Sequence, residues 1–197
     1  MPLKPAVARK IAHTRTVTCT AYERTDGLWD IEGQLLDIKP FDWINKDRDG
    51  CIAAGEPLHD MAIRLTIDLD FLIHDVDAVI DYAPQNVCSE ISGSYKKLIG
   101  QRIGPGWAKL TKSLFGNISG CTHLRELLGP VASTSYQALV KPRFIRAQAK
   151  QGKQLGDDAL IFGSPEVVNT CHAWGASRLA VKEFWPDYYV PEKHPPV

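Results

Sequence analysis

Residues 120–127 read GCTHLREL, which puts a thiol and an imidazole two positions apart at the start of a helix-like run. A thiol or imidazole at a helix N-terminus meets the positive end of the macrodipole, which favours thiolate over thiol. Cys121 and His123 are therefore candidates to line a site. The same residues also suit plain capping: Gly120 ends the preceding turn, a residue near Thr122 caps the helix, and Glu126 suits the dipole. Cys121 is then a small packing residue. The pattern alone leaves both readings open.

Two further groups carry chemistry. His59 falls by alternation on an apolar strand face, and His13 shares the parity of Val17 and Cys19. With His123 and Cys121 approaching from a helix layer, three histidines and a thiol converge between sheet and helices, a combination that also fits a metal ion. The ligands lack the short paired spacing of a zinc motif. The second group is polar: Tyr22, Arg24, Asp30 and Glu32 with Asp60 and Arg64. It reads either as a solvated face with cross-strand ion pairs or as a pocket floor, where Arg and Tyr hold a phenolate oxygen and a carboxylate acts as base.

Stepping outward, the elements that position these groups are strands first and helices after. HTRTVTCTAYER and LWDIEGQLLDIK form a hairpin around Thr25, Asp26 and Gly27, with Gly27 left-handed. That loop pairs Tyr22 with Asp30, Thr20 with Glu32 and Thr18 with Gln34. Val17, Cys19 and Ala21 then lie with Trp29, Ile31 and Leu35 on the other face. Residues 40–56 read as a polar loop; its DRDG lacks the spacing of a calcium loop. Residues 57–81 form a second hairpin turning near Asp68 to Asp70, with His59, Met61, Ile63, Leu65 and Ile67 on one face and Asp60, Arg64, Thr66 and Asp68 on the other. CSEISGSYKKLIG, GWAKLTKSLFG and CTHLRELLGPVASTSYQALV are three helices; residues 145–160 read as a loop. A short element follows, and a Pro-rich tail wraps the domain or a neighbouring subunit, which leaves room for a homo-oligomer. The fold class is α+β: an antiparallel sheet of two hairpins with C-terminal helices on one face. One domain spans residues 1–197, with its core at about 10–145 and an extension at 145–197.

Bulk properties narrow the function. Lys plus Arg is 23 and Asp plus Glu is 23, a balance that argues against nucleic acid as a partner. No run reaches a membrane span and the N-terminus lacks an apolar signal core, so a cytoplasmic location is expected. Five scattered cysteines without CxxC spacing argue against a disulfide framework. IGPGW lacks the GK[ST] ending of a phosphate loop.

HTR at 13–15, YERTDGLWDIEG at 22–33, GEPLHDMAIRLTID at 55–68, CSEI at 88–91, IGPGW and GCTHLREL together resemble one bacterial family, a domain of unknown function. The resemblance covers roughly residues 5–145. It implies a setting in aromatic catabolism and a cofactor-free phenylcoumaran γ-formaldehyde lyase, which turns a lignin-derived phenolic dimer into a stilbene and formaldehyde. Such a reaction needs a base, a phenolate partner, an acid and an apolar slot. Tyr22, Arg24, Glu32, His59, Asp60, Arg64 and His123 are suitable types for the chemistry. Trp29, Trp43, Trp107 and Cys121 are candidates for the slot, the substrate is a small aromatic, and neither metal nor cofactor is expected. Alternatives are a metal-dependent hydrolase using His59, Asp60, Cys121 and His123, and a non-catalytic scaffold or ligand-binding protein. The two faces of one sheet cannot both be the site unless it lies at an edge or an interface.

Overall fold

A computed structural model describes residues 3–4, 6–155 and 165–192. The chain falls into two compact units, 1–137 and 138–197. In the first, strands β1 (Thr14–Glu23), β2 (Trp29–Ile38), β5 (Pro57–Ile67) and β6 (Ile73–Tyr82) form an antiparallel sheet in the order β1-β2-β5-β6. A second, two-stranded sheet pairs β3 (Trp43–Asn45) with β4 (Gly50–Ile52). A 3-10 stretch, Asn86–Leu98, is followed by α1 (Trp107–Phe115) and the long helix α2 (Thr122–Lys150), which runs on into the second unit. The architecture is α+β, with helices after strands.

The first hairpin has the register its alternation predicts. Tyr22 pairs with Asp30, Thr20 with Glu32 and Thr18 with Gln34. Arg24 N–H closes the loop on Leu28 O at 2.9 Å, Gly27 is left-handed (φ 82°), and Asp26 Oδ1 accepts the Leu28 N–H. In the second hairpin, Met61, Ile63, Leu65 and Ile67 are fully buried, as period two requires. The helix layer comes close: a Cβ on Gly33 would stand 2.6 Å from Val131 Cγ2, so only glycine lets α2 lie against β2 there. Ile31, Leu35, Leu124, Leu127, Leu128 and Val131 form the core between the layers.

Three local expectations change. Residues 40–56 hold the β3–β4 hairpin, and DRDG makes its turn, with Asp49 and Gly50 at positive φ. CSEISGSYKKLIG forms a 3-10 rather than an α-helix. Residues 145–150, read as loop, continue α2: IRAQAK has no apolar period but consists mostly of strong helix formers, and propensity decides where packing does not. The second unit contains α3 (Leu179–Phe184), the short element expected near the end. The tip of the Pro-rich tail, residues 193–197, lies outside the described residues, as do residues 156–160 of the expected loop.

Candidate functional site

The helix face of the sheet carries a row of three residues in direct register. Arg15 on β1 pairs with Asp37 on β2, and Asp37 pairs with His59 on β5. A bulge next to this row places Leu58 as an extra residue between the Ile38–Pro57 and Asp37–His59 pairs, and such a bulge re-aims its neighbours. Asp37 is 1% exposed and collects polar partners from β5, from β1 and from His13 just before β1. Its Oδ1 accepts from His13 Nε2 (3.0 Å) and Arg15 Nε (2.8 Å). Its Oδ2 accepts from Arg15 Nη2 (2.7 Å) and His59 Nδ1 (3.0 Å). Arg15 Nη1 reaches across to Glu126 Oε2 on α2 at 2.8 Å, tying sheet to helix.

Burial alone would raise the Asp37 carboxyl, but the Arg15 guanidinium, with His13 and His59, holds it at about 2. An ionised carboxylate only accepts, so His59 carries its proton on Nδ1 and keeps a lone pair on Nε2. The imidazole of His123 packs against His59, centroids 3.9 Å apart and the rings tilted by 36°. Burial lowers both histidines. The facing imidazole lowers His59 further, and Arg15 lowers His123. Both are neutral at pH 7 and free to accept a proton.

Tyr95 fixes the backbone that delivers His123. Its buried hydroxyl donates to Cys121 O (2.8 Å) and accepts from Cys121 N–H (3.2 Å), and burial pushes the phenol upward. Gly120 lets the chain turn here, since a Cβ would stand 2.6 Å from Phe115 Cβ. GCTHLREL therefore starts a helix and also lines a cleft. His59, Cys121 and His123 open on a cleft of about 520 Å³ walled by Met61, Val87, Ile91 and Ile118, with Cys88 and Glu90 at its margin. That volume suits a small organic ligand.

The other candidates lie elsewhere. Tyr22, Glu32 and Arg64 meet on the opposite face of the sheet, in a shallow cleft of about 430 Å³. Arg64 bridges Glu32 (3.3 Å) and Asp77 (3.1 Å) there, all well exposed. Asp60 is on that face too, accepting from Gln34 Nε2, and so does not join His59 and His123; Asp37 takes the place expected of it. Arg24 sits at the hairpin tip with Asp26 and Asp30. None of the three tryptophans lines the histidine cleft. Trp107 is a core residue whose Nε1 donates to Leu128 O, Trp43 lies in the small hairpin under the Lys39 ammonium, and Trp29 opens β2 opposite Ile67.

The sequence patterns do not single out Arg15, Asp37 or Tyr95, and they mark Glu126 only as an acid that suits the helix dipole. The usable signal was parity: Asp37 continues the series Ile31, Leu35, so it is an acid in a core position, and such an acid needs partners. One donor atom each from Asp37, His59 and His123 lies within 4.8 Å of the others, a spacing that also suits a metal ion. Arg15, however, puts a fixed positive charge on both Asp37 oxygens, which opposes a second cation.

Among the described residues no helix is long and apolar enough to cross a membrane. No curated protein and no solved structure matches the chain. The family described as a protein of unknown function, DUF2889, matches residues 13–137, a span that begins at His13 and takes in Arg15, Asp37, His59, Cys121 and His123, and the chain belongs to that family.

Proposed function

We propose that the protein is a cofactor-independent lyase of bacterial aromatic catabolism, working in the cytoplasm on a phenolic phenylcoumaran with a primary γ-alcohol. The observation that carries this reading is His59, oriented by a buried, ionised Asp37, with its free Nε2 beside an apolar-walled cleft. The substrate phenolate pushes electrons through its ring and opens the dihydrofuran C–O bond, giving a quinone methide and a second phenolate. His59 Nε2 takes the γ-hydroxyl proton, the C–C bond to that carbon breaks, and formaldehyde leaves. The electron pair forms the stilbene double bond and restores the first ring to a phenolate. The proton on His59 passes to the released oxygen. No electron leaves the substrate, so no redox partner is needed.

The residues divide the work. His59 is the base. Arg15 and His13 hold Asp37, which fixes the His59 tautomer. Met61, Val87, Ile91 and Ile118 take the rings. Neutral imidazoles at pH 7 suit a base whose work is done near neutrality. The test is formaldehyde release from a phenolic phenylcoumaran alcohol by metal-stripped protein, against a no-enzyme control. Release establishes the reading; none, with metal-reconstituted protein equally silent, removes this substrate.

A further inference from the structure

Cys121 is the residue before α2, and its carbonyl accepts the first intrahelical bond, from Arg125 N–H at 3.0 Å. The N–H groups of Thr122, His123 and Leu124 therefore have no acceptor within the helix and point toward its start. The thiol lines the 520 Å³ cleft beside Thr122 and His123. His123 Nδ1 lies 4.0 Å from Cys121 Sγ, and His123 Nε2 lies 4.0 Å from Asp37 Oδ2. Thiol, imidazole and buried carboxylate thus stand in the order nucleophile, base and orienting group. Both gaps exceed closed hydrogen bonds, as is common before a ligand tightens such a site. Tyr95 clamps the Cys121 backbone on both its N–H and its C=O, so the nucleophile's own main chain is fixed.

We infer that Cys121 is a nucleophile for acyl transfer from an aryl ester, with His123 as its base and Asp37 as the group that orients that base. Cys121 Sγ forms a bond to the ester carbonyl carbon while its proton moves to His123 Nδ1. The bond between the acyl carbon and the aryloxy oxygen breaks, and the phenol leaves with the proton from His123. Water then attacks the thioester, passing a proton through His123 to the departing sulfur, and the carboxylic acid is released. Ester plus water gives acid plus phenol, with no oxidant or reductant. The unpaired N–H groups of the first turn of α2 are the donors available to the tetrahedral oxyanion. The apolar wall of the cleft suits the aryl group.

The remaining cysteines give the contrast. Burial pushes the Cys19 and Cys88 thiols up, which lowers their thiolate fraction. Cys51 and Cys171 are exposed and serve as internal references. This inference does not rest on the lyase reading: formaldehyde release reports on His59, and ester chemistry reports on Cys121.

The test uses the intact protein with p-nitrophenyl acetate, quenched in acid and mapped by peptide mass spectrometry. The acetyl group should appear on Cys121 at least about tenfold faster than on Cys51 or Cys171. Steady nitrophenol release should fall about 100-fold in Cys121→Ser and in His123→Gln. Equal labelling of Cys121, Cys51 and Cys171 would overturn the inference, and this ratio is read on the unmutated protein, so it holds even if a variant fails to fold. A Cys121 labelling rate unchanged in folded His123→Gln would also overturn it.

Discussion

The two faces of the sheet each carry a charged row built around an arginine–aspartate pair, in opposite settings. Each has an arginine in a row of three residues across adjacent strands: Arg15–Asp37–His59 across β1, β2 and β5, and Glu32–Arg64–Asp77 across β2, β5 and β6. The first row lies under α2, with its acid 1% exposed; in the second, the side chains are 44%, 44% and 61% exposed. In water the second row gains roughly 0–1 kcal/mol per pair and is screened by salt. In the first, low dielectric strengthens each bond to Asp37 and makes an unmet partner expensive. An arginine–aspartate pair thus belongs to a buried polar network on one face and to a solvated surface on the other. Burial decides which.

Substitutions on the two faces sharpen the contrast. The largest effect belongs to Asp37→Asn, which leaves Arg15, His13 and His59 facing a neutral amide. Allowing for Arg15 being 35% exposed, the loss is about 2 kcal/mol, or a melting temperature lower by about 4–8 °C. A differential scanning measurement at low salt reads it.

Acid comes next. His59 and His123 have folded values depressed below about 6.5, so the unfolded chain binds more protons as pH falls through that value, and stability drops there. Asp37, held at about 2, adds a second loss as pH falls from about 4 toward 2. Melting curves against pH should show both steps, with the first one reduced in His123→Gln. A single loss confined to the carboxylate range would break the account of the histidines.

The smallest effect belongs to Arg64→Ala, within about 0.5 kcal/mol of the parent protein. A chemical-denaturation midpoint that falls much further would mean that the bare face is not merely solvated surface.

Much of this contrast was legible in the chain. The Asp26–Gly27 turn fixes the first register, and alternation then assigns Tyr22, Glu32 and Arg64 to one face and His59 to the other. Parity also puts His13 and His59 on the face that His123 approaches from α2. Parity puts Asp37 on that buried face too, but alternation within one strand does not say which side chains reach it from β1 and β5. The three-residue strands β3 and β4 are too short for alternation to register. The tryptophans misled because a large aromatic is as good a core residue as a slot wall, and Trp107 fills the core with its N–H satisfied by Leu128.

One experiment weighs the two faces directly: formaldehyde release from a phenolic phenylcoumaran alcohol by the unmutated protein, His59→Ala and Arg64→Ala, side by side and with folding checked. Placing the reaction on the helix face predicts a loss of at least about 100-fold for His59→Ala and a rate within about twofold for Arg64→Ala. A folded His59→Ala at full rate, or an Arg64→Ala as crippled as His59→Ala should be, would contradict it and move the chemistry to the open face of the sheet.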